Sequence, residues 1–464
     1  MKPYLLPLLL LGSALPARAN LDPATLFARR PASPTVAILP HAYEPGEVLV
    51  RFRPGTTAKQ AENVLTSAGA ESFERRFAPG LYRAQTGSDE GAMLRLMQAV
   101  VASPLVLDTS PNYRGEGGYV PNDPIFSSQW HLEQPSNLDL DAVIAWEITR
   151  GSPSTVIAVL DSGLYFSQPE FTGRLYDNPL DPPNGLDDDG NGLVDDYHGW
   201  DFFERDADPN IDFPRPGHPH GTWVTSALAA NTGNAFEVAG LDHRAKILPL
   251  RVLDPTNGGN SLWLMEALYY VAQRNDVDFV NMSLVNFAPT PMLADALSAA
   301  ADHSILVACA GNDGPGTADD RYPAAHPAVI AVSWTTNTDT LAPFASTGLA
   351  VDISAPGVNL SVAHGAPPFL PSQFDVVSGC SIATPLVTGI GGLVKSIYPG
   401  LNRGRFLQIL AASARDLGPP GWDPEFGWGR VNAARALDTT ILTYQLFHDG
   451  FETGDTSAWS LTVP

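Results

Sequence analysis

Three short stretches carry side chains that could act on a carbonyl group. Val156-Ile157-Ala158-Val159-Leu160 is a β-branched apolar run that ends in Asp161-Ser162-Gly163. An acid at the carboxyl end of a buried parallel strand lies where open α/β sheets place their sites, although Asp-Ser-Gly alone is equally a turn. His218-Pro219-His220-Gly221-Thr222-Trp223 follows, and His220 opens a helix of small and apolar residues. The third stretch is Val376 to Lys395, VVSGCSIATPLVTGIGGLVK. Ile382, Leu386, Ile390 and Val394 recur every fourth residue, as one buried helix stripe requires. Ser381 therefore stands where a strand end turns into a helix N-terminus, whose N–H groups favour developing negative charge. A plain N-cap has the same position. A nucleophile there needs a base, an orienting acid and an oxyanion donor.

Between Asp161 and His220 lies a second constellation. Asp187, Asp189, Asn191 and Asp195 fall in Leu186-Asp187-Asp188-Asp189-Gly190-Asn191-Gly192-Leu193-Val194-Asp195. Hard oxygen ligands at alternate positions, with Gly at the tight turn, suit Ca2+. The twelfth position is His198 rather than Glu, so the loop is not a full EF-hand; the alternative is a solvated acidic turn.

These residues need a scaffold. Strand-like and helix-like runs alternate from about residue 123 to 440, which predicts an α/β domain with a parallel sheet. Its expected strands are Val156 to Leu160, Ile247 to Val252, Phe279 to Met282, Ile305 to Ala310 and Val329 to Ser333. Leu262 to Gln273 and Met292 to Asp302 read as helices between them. Pro385 is expected early enough in the Ser381 helix for its missing N–H to cost little. Gly389, Gly391 and Gly392 predict very close packing of that helix, since each costs about 1 kcal/mol relative to Ala.

Upstream, residues 46–113 follow a β-α-β-β-α-β order, the pattern of a small ferredoxin-like α+β sandwich. Thr56 or Thr57 should cap its first helix and Ser88 its second. Arg114-Gly115-Glu116-Gly117-Gly118, in a linker spanning 114–122, is where proteolytic nicking concentrates. Residues 1–19 read as a signal peptide: Lys2, a short apolar run, then Ala17-Arg18-Ala19. Residues 20–45 form a Pro- and Ala-rich linker, and 441–464 a separate tail. The expectation is a secreted protein (extracellular or periplasmic) with no membrane span. The net charge of −23 argues against nucleic-acid partners.

Asp161-Ser162-Gly163, His220-Gly221-Thr222, Ala310-Gly311-Asn312 and Gly379-Cys380-Ser381-Ile382-Ala383-Thr384-Pro385 together resemble the four signature blocks of the subtilisin-like serine proteases. The resemblance covers about residues 120 to 438, and residues 46–113 resemble that family's inhibitory propeptide. It implies an α/β subtilisin-like parallel sheet with helices on both faces, preceded by the ferredoxin-like prodomain. It also implies a secreted serine endopeptidase made as an autoprocessed zymogen, acting on proteins or peptides and inhibited by its own propeptide. Ser381 would attack, His220 would carry the proton, Asp161 would orient His220, and Asn312 would donate to the oxyanion. Ser283, Leu284 and Val285 would bind substrate.

The chain departs from the family pattern in three places. Cys380 replaces a Thr, Ile382 a Met, and Val285 the Gly of Ser-Leu-Gly. The subtilisin-like arrangement would also bring Cys309 near Cys380, as a disulfide or as two buried thiols. Two other functions remain open: a catalytically impaired binding protein on the same fold, and an esterase using Ser381, Asp423 and His448.

Overall fold

The computed structural model describes residues 43–445, apart from 54, 77–79, 114–118 and 213–217. The expected signal peptide, most of the first linker, the glycine-rich boundary and the tail with His448 lie outside the described residues. Two compact units emerge: residues 46–110, and residues 111–445 together with 43–45.

The smaller unit runs β1 (Tyr43–Phe52), α1 (Ala58–Ser67), β2 (Ser72–Arg75), β3 (Leu81–Gln85), α2 (Glu90–Val101), β4 (Val106–Tyr113). Its sheet has the order β2-β3-β1-β4, with β1 and β2 both antiparallel to β3. Alternate residues Val48, Val50 and Phe52 of β1 are buried, as are Leu65 of α1 and Met93, Leu96, Met97 and Val100 of α2. Thr57 caps α1 in a reciprocal capping box with Gln60. The cap of α2 is Asp89, not Ser88: its Oδ1 accepts the Ala92 N–H at 2.8 Å. A carboxylate at that position also answers the helix dipole, which a hydroxyl does not.

The larger unit is organised on a parallel sheet of β5 (Val156–Asp161), β6 (Trp200–Asp201), β7 (Lys246–Arg251), β8 (Phe279–Met282), β9 (Ile305–Cys309), β10 (Val329–Thr335) and β11 (Ile353–Pro356). The strand order is β11-β10-β9-β8-β5-β7-β6, and every recorded pairing is parallel. A sheet covered on both faces needs apolar residues on both, so its strands read as unbroken hydrophobic runs. β5 shows this directly. Ile157 and Val159 join one core; Val156, Ala158 and Leu160 join the other.

The first core is closed by α3 (Ala142–Ile148), α4 (His220–Ala229), α7 (Cys380–Ile397), α8 (Arg403–Ser413) and α9 (Ala433–Thr440). The second is closed by α5 (Ser261–Ala272) and α6 (Pro291–Ala301). A short hairpin, β12 (Leu360–Val362) and β13 (Asp375–Val377), leads into α7.

Two glycines let α7 lie close against the sheet. A Cβ at Gly391 would overlap the Phe279 ring, and one at Gly392 would overlap the Asp242 carboxylate. Pro385 departs from expectation. It is the sixth residue of α7, so its missing N–H does deprive a carbonyl, that of Ser381. Ser283 Oγ supplies the replacement bond, donating to the Ser381 carbonyl at 2.6 Å.

Candidate active site

Asp161 ends β5, an interior strand between β8 and β7, and is 1% exposed. Its Oδ1 accepts the Ser162 N–H at 2.7 Å and bonds His220 Nδ1 at 2.8 Å. Gly163 (φ +89°) completes the turn, where a side chain would collide with the Pro209 carbonyl. His220 is the first residue of α4. Burial alone would lower its pKa, but the Asp161 charge and hydrogen bond outweigh it, so the net shift is upward. The bond at Nδ1 places the second ring nitrogen, Nε2, at the disposal of a reacting group.

Ser381 is the second residue of α7. Gly379, at φ +149°, makes the turn before it, a conformation an L side chain rarely adopts. The Cys380 N–H donates to Asn312 Oδ1 at 2.9 Å. With its oxygen engaged there, the Asn312 amide retains its N–H donors for another acceptor. A Cβ built on Gly379 would stand 3.3 Å from Ser381 Oγ and 3.6 Å from Asn312 Nδ2, so these two groups border one small space. Beneath them Asn281 Nδ2 donates to Ser283 Oγ (3.1 Å), and Thr388 Oγ1 donates to Asn281 Oδ1 (2.9 Å). Each member of this buried chain is satisfied, which fixes the turn that carries Ser381. Cys309 and Cys380 form a disulfide with Cα atoms 5.2 Å apart. It ties the end of β9, three residues before Asn312, to the residue before Ser381.

A cleft of about 310 Å³ is lined by His220, Asn312, Ser381 and the segment Ser283-Leu284-Val285. The nucleophile, base and amide candidates thus share one opening at the carboxyl ends of the strands. Asp423 does not line it. Its Oδ1 accepts the N–H groups of Glu425 and Phe426 in a local turn, and His448 is outside the described residues.

The acidic loop differs from the convergent oxygen site expected of it. Asp187 accepts the N–H groups of Gly190, Asn191 and Gly192. Asp189 Oδ1 shares the Asn191 N–H, so Asp187, Asp189 and Asn191 lie on one turn. Asp195 instead accepts from Asn184 and Gly185. Among the described residues, no three His, Cys, Asp or Glu side chains are grouped to hold a metal ion. The fit to Ca2+ is therefore partial. Short carboxylates close their own loop by taking backbone N–H bonds, Asp187 and Asp189 from one turn and Asp195 from Asn184 and Gly185. Asp181 and Asp196, which the spacing rule does not select, anchor the loop. Asp181 accepts the N–H groups of Asp188 and Asp196, and Asp196 is fully buried beside Arg274.

Sequence reasoning also passed over His218, whose Nδ1 accepts the His220 N–H at 3.2 Å. The available signal was a side chain with an acceptor two residues before a helix start.

A sequence profile of the subtilase family matches residues 152–429. The chain is 30% identical over 400 residues to a thermophilic serine proteinase of Bacillus sp. strain AK1, covering 85% of this chain and 88% of that one. It is 33% identical over 322 residues to a halolysin-like extracellular serine protease of Natrialba magadii, covering 69% of this chain and 53% of that longer protein. A solved protease structure from Pseudoalteromonas arctica superposes with a TM-score of 0.55 at 24% identity, over 69% of this chain and all of that one.

Proposed function

The chain belongs to the subtilase family and is a serine endopeptidase, and we propose that it cleaves peptide bonds through Asp161, His220 and Ser381 by way of an acyl-enzyme. The observation that carries this reading is the 2.8 Å Asp161–His220 bond at the edge of the cleft that also holds Ser381 and Asn312. Ser381 Oγ attacks the carbonyl carbon while His220 Nε2 takes its proton. Asp161 holds the imidazole tautomer and stabilises the imidazolium. The developing oxyanion is met by Asn312 Nδ2 and the Ser381 backbone N–H. His220 then gives its proton to the leaving amine, and water repeats the sequence on the acyl-enzyme. Ser283-Leu284-Val285 continues from β8 along the cleft, which suits an extended peptide laid beside it.

A covalent serine-hydrolase probe tests the reading. It should label the wild-type protein and fail on Ser381→Ala; His220→Ala should abolish hydrolysis while His448→Ala leaves it intact. No labelling would favour the binding-protein alternative, and loss of activity in His448→Ala would favour the esterase.

The same reading includes export after removal of residues 1–19 and an inhibitory role for residues 46–113. It includes self-cleavage within 113–123. The glycine-rich boundary and the split β-α-β order of the smaller unit support it. The Ser381→Ala protein should then accumulate uncut in a protease-free host; normal maturation of that variant would remove self-cleavage. A structural Ca2+ at the acidic loop is part of the proposal too. Asp187, Asp189 and Asn191 would supply oxygens from their shared turn, with Asp195 recruited to them.

A further inference from the structure

The helix that presents His220 has no conventional cap. Pro219 precedes α4 and makes no side-chain hydrogen bond to it. The first N–H groups of a helix have no partner inside it, and left unpaired in a half-buried place they are costly. Here two side chains from outside the helix take them. The His220 N–H donates to His218 Nδ1 at 3.2 Å, and the Gly221 N–H donates to Ser162 Oγ at 2.9 Å. Ser162 Oγ–H in turn donates to the His218 carbonyl at 2.6 Å. The strand bearing Asp161 and the helix bearing His220 are thus joined through His218 as well as through their own bond.

His218 is itself held. The Trp223 ring meets its ring edge-to-face, with centroids 5.7 Å apart. Trp223 Nε1 donates to Asp375 Oδ2 at 2.7 Å, and Asp375 also accepts the Gly365 N–H at 2.8 Å. To accept the His220 N–H, His218 must have a lone pair on Nδ1 and its proton on Nε2. Among the described residues, the titratable groups around it are His220 and Asp161, with Asp375 and His364 behind Trp223.

We propose that His218 is a positioning residue: its neutral imidazole caps the catalytic helix, and hydrolysis requires His218 and His220 to be neutral together. Protonation of His218 would remove the lone pair that binds the His220 N–H. It would also place a cation at the positive end of α4, with its ring centroid 6.3 Å from that of His220. Burial, followed by the charge of His220, lowers the His218 pKa, so the cap survives at neutral pH and titrates below His220.

The proposal rests on the assignment of His220 as base, and its test separates the two. The slope of log kcat/KM against pH is measured on a peptide substrate, over the range in which near-ultraviolet circular dichroism stays native and activity returns at pH 8. In the wild type the acid limb should start with a slope of one and steepen towards two at lower pH. His218→Asn offers an amide oxygen to the same N–H but does not titrate, so its limb should keep a slope of one. His218→Ala leaves the His220 N–H without this acceptor and its ring less well placed, so it should lower plateau kcat roughly five- to tenfold with KM little changed. His218→Asn should restore most of that loss. A slope of one throughout in the wild type, or a steep limb that persists in His218→Asn, would overturn the proposal. Retained hydrolysis in His220→Ala would instead remove the triad assignment, which neither result at His218 can do.

Discussion

The Cys380 N–H donates to Asn312 Oδ1 at 2.9 Å, so the residue before Ser381 sets the orientation of the Asn312 side chain. On the proposed mechanism the amide is oriented before substrate arrives and needs no reorganisation at the moment of reaction. Asn312→Ala should therefore lower kcat by about 100- to 1,000-fold with a small change in KM. Steady-state kinetics on a chromogenic peptide checks this; a loss confined to KM would count against the oxyanion role.

The acid limb of activity should lie above pH 6.5, the ordinary His value, because His220 is raised in the folded protein and acts as base only when neutral. Asp161→Asn removes the raising partner and leaves burial alone, so the limb should move below pH 6.5 and kcat should fall by about 10⁴. The linked stability runs the other way. A raised His pKa stabilises the fold fully below the unfolded value, and that increment is lost as pH rises through the folded value. The pH that permits catalysis is thus the pH at which the charged Asp161–His220 pair no longer contributes. A limb unmoved by Asp161→Asn would contradict the assignment of His220 as the titrating base.

Replacing Cys309 and Cys380 by Ala should cost about 4 kcal/mol of stability, from the chain entropy restored to an unfolded loop spanning a sequence separation of 71. Denaturant unfolding measures it. Thiol titration of the denatured, unreduced wild type should find no free thiol; two would refute the bond.

Val285 lines the cleft with Ser381 and Asn312, and a branched side chain there takes space from the substrate. Val285→Gly should raise kcat/KM for substrates with bulky residues before the cleaved bond by roughly 10- to 200-fold relative to small ones. Cleavage profiling of a mixed peptide library in both proteins checks it; an identical profile would exclude Val285 from specificity.

Chelation should lower the melting temperature if the acidic loop holds Ca2+. Saturation at 100 times the dissociation constant corresponds to about 2.7 kcal/mol per site. Asp189→Ala should lose that response. Calcium-insensitive melting in the wild type would sink the idea.

The sheet was legible where both faces are buried. Phe279–Met282 matches its expected bounds, and the other four expected strands shift by at most two residues, because unbroken apolar runs leave little choice. β6 is two residues long and β12 three, too brief for any period to register. The strand order could not be read at all, since pairing depends on crossovers rather than on local pattern. In the site, the stretches carrying Asp161, His220, Asn312 and Ser381 were visible as motifs. Their second layer was not. The bond from Ser283 to the carbonyl freed by Pro385 joins residues 98 apart in sequence. Likewise, Asp187 and Asp195 take different backbone N–H groups, and residue spacing does not encode which.

The order of the elements along the chain has a consequence for synthesis. Asp161 is made first, at the end of β5, and His220 next, at the start of α4, but α7, which packs against β8, β9, β10 and β11, brings Ser381 only after all of those strands have been made. A ribosome adding about 5–20 residues per second therefore extends a chain that has the proposed acid and base but not the proposed nucleophile for the whole interval between His220 and Ser381. On the proposed mechanism the nascent chain has no hydrolytic activity during that time. Proteolytic competence arrives late, and with the same helix that locks the sheet.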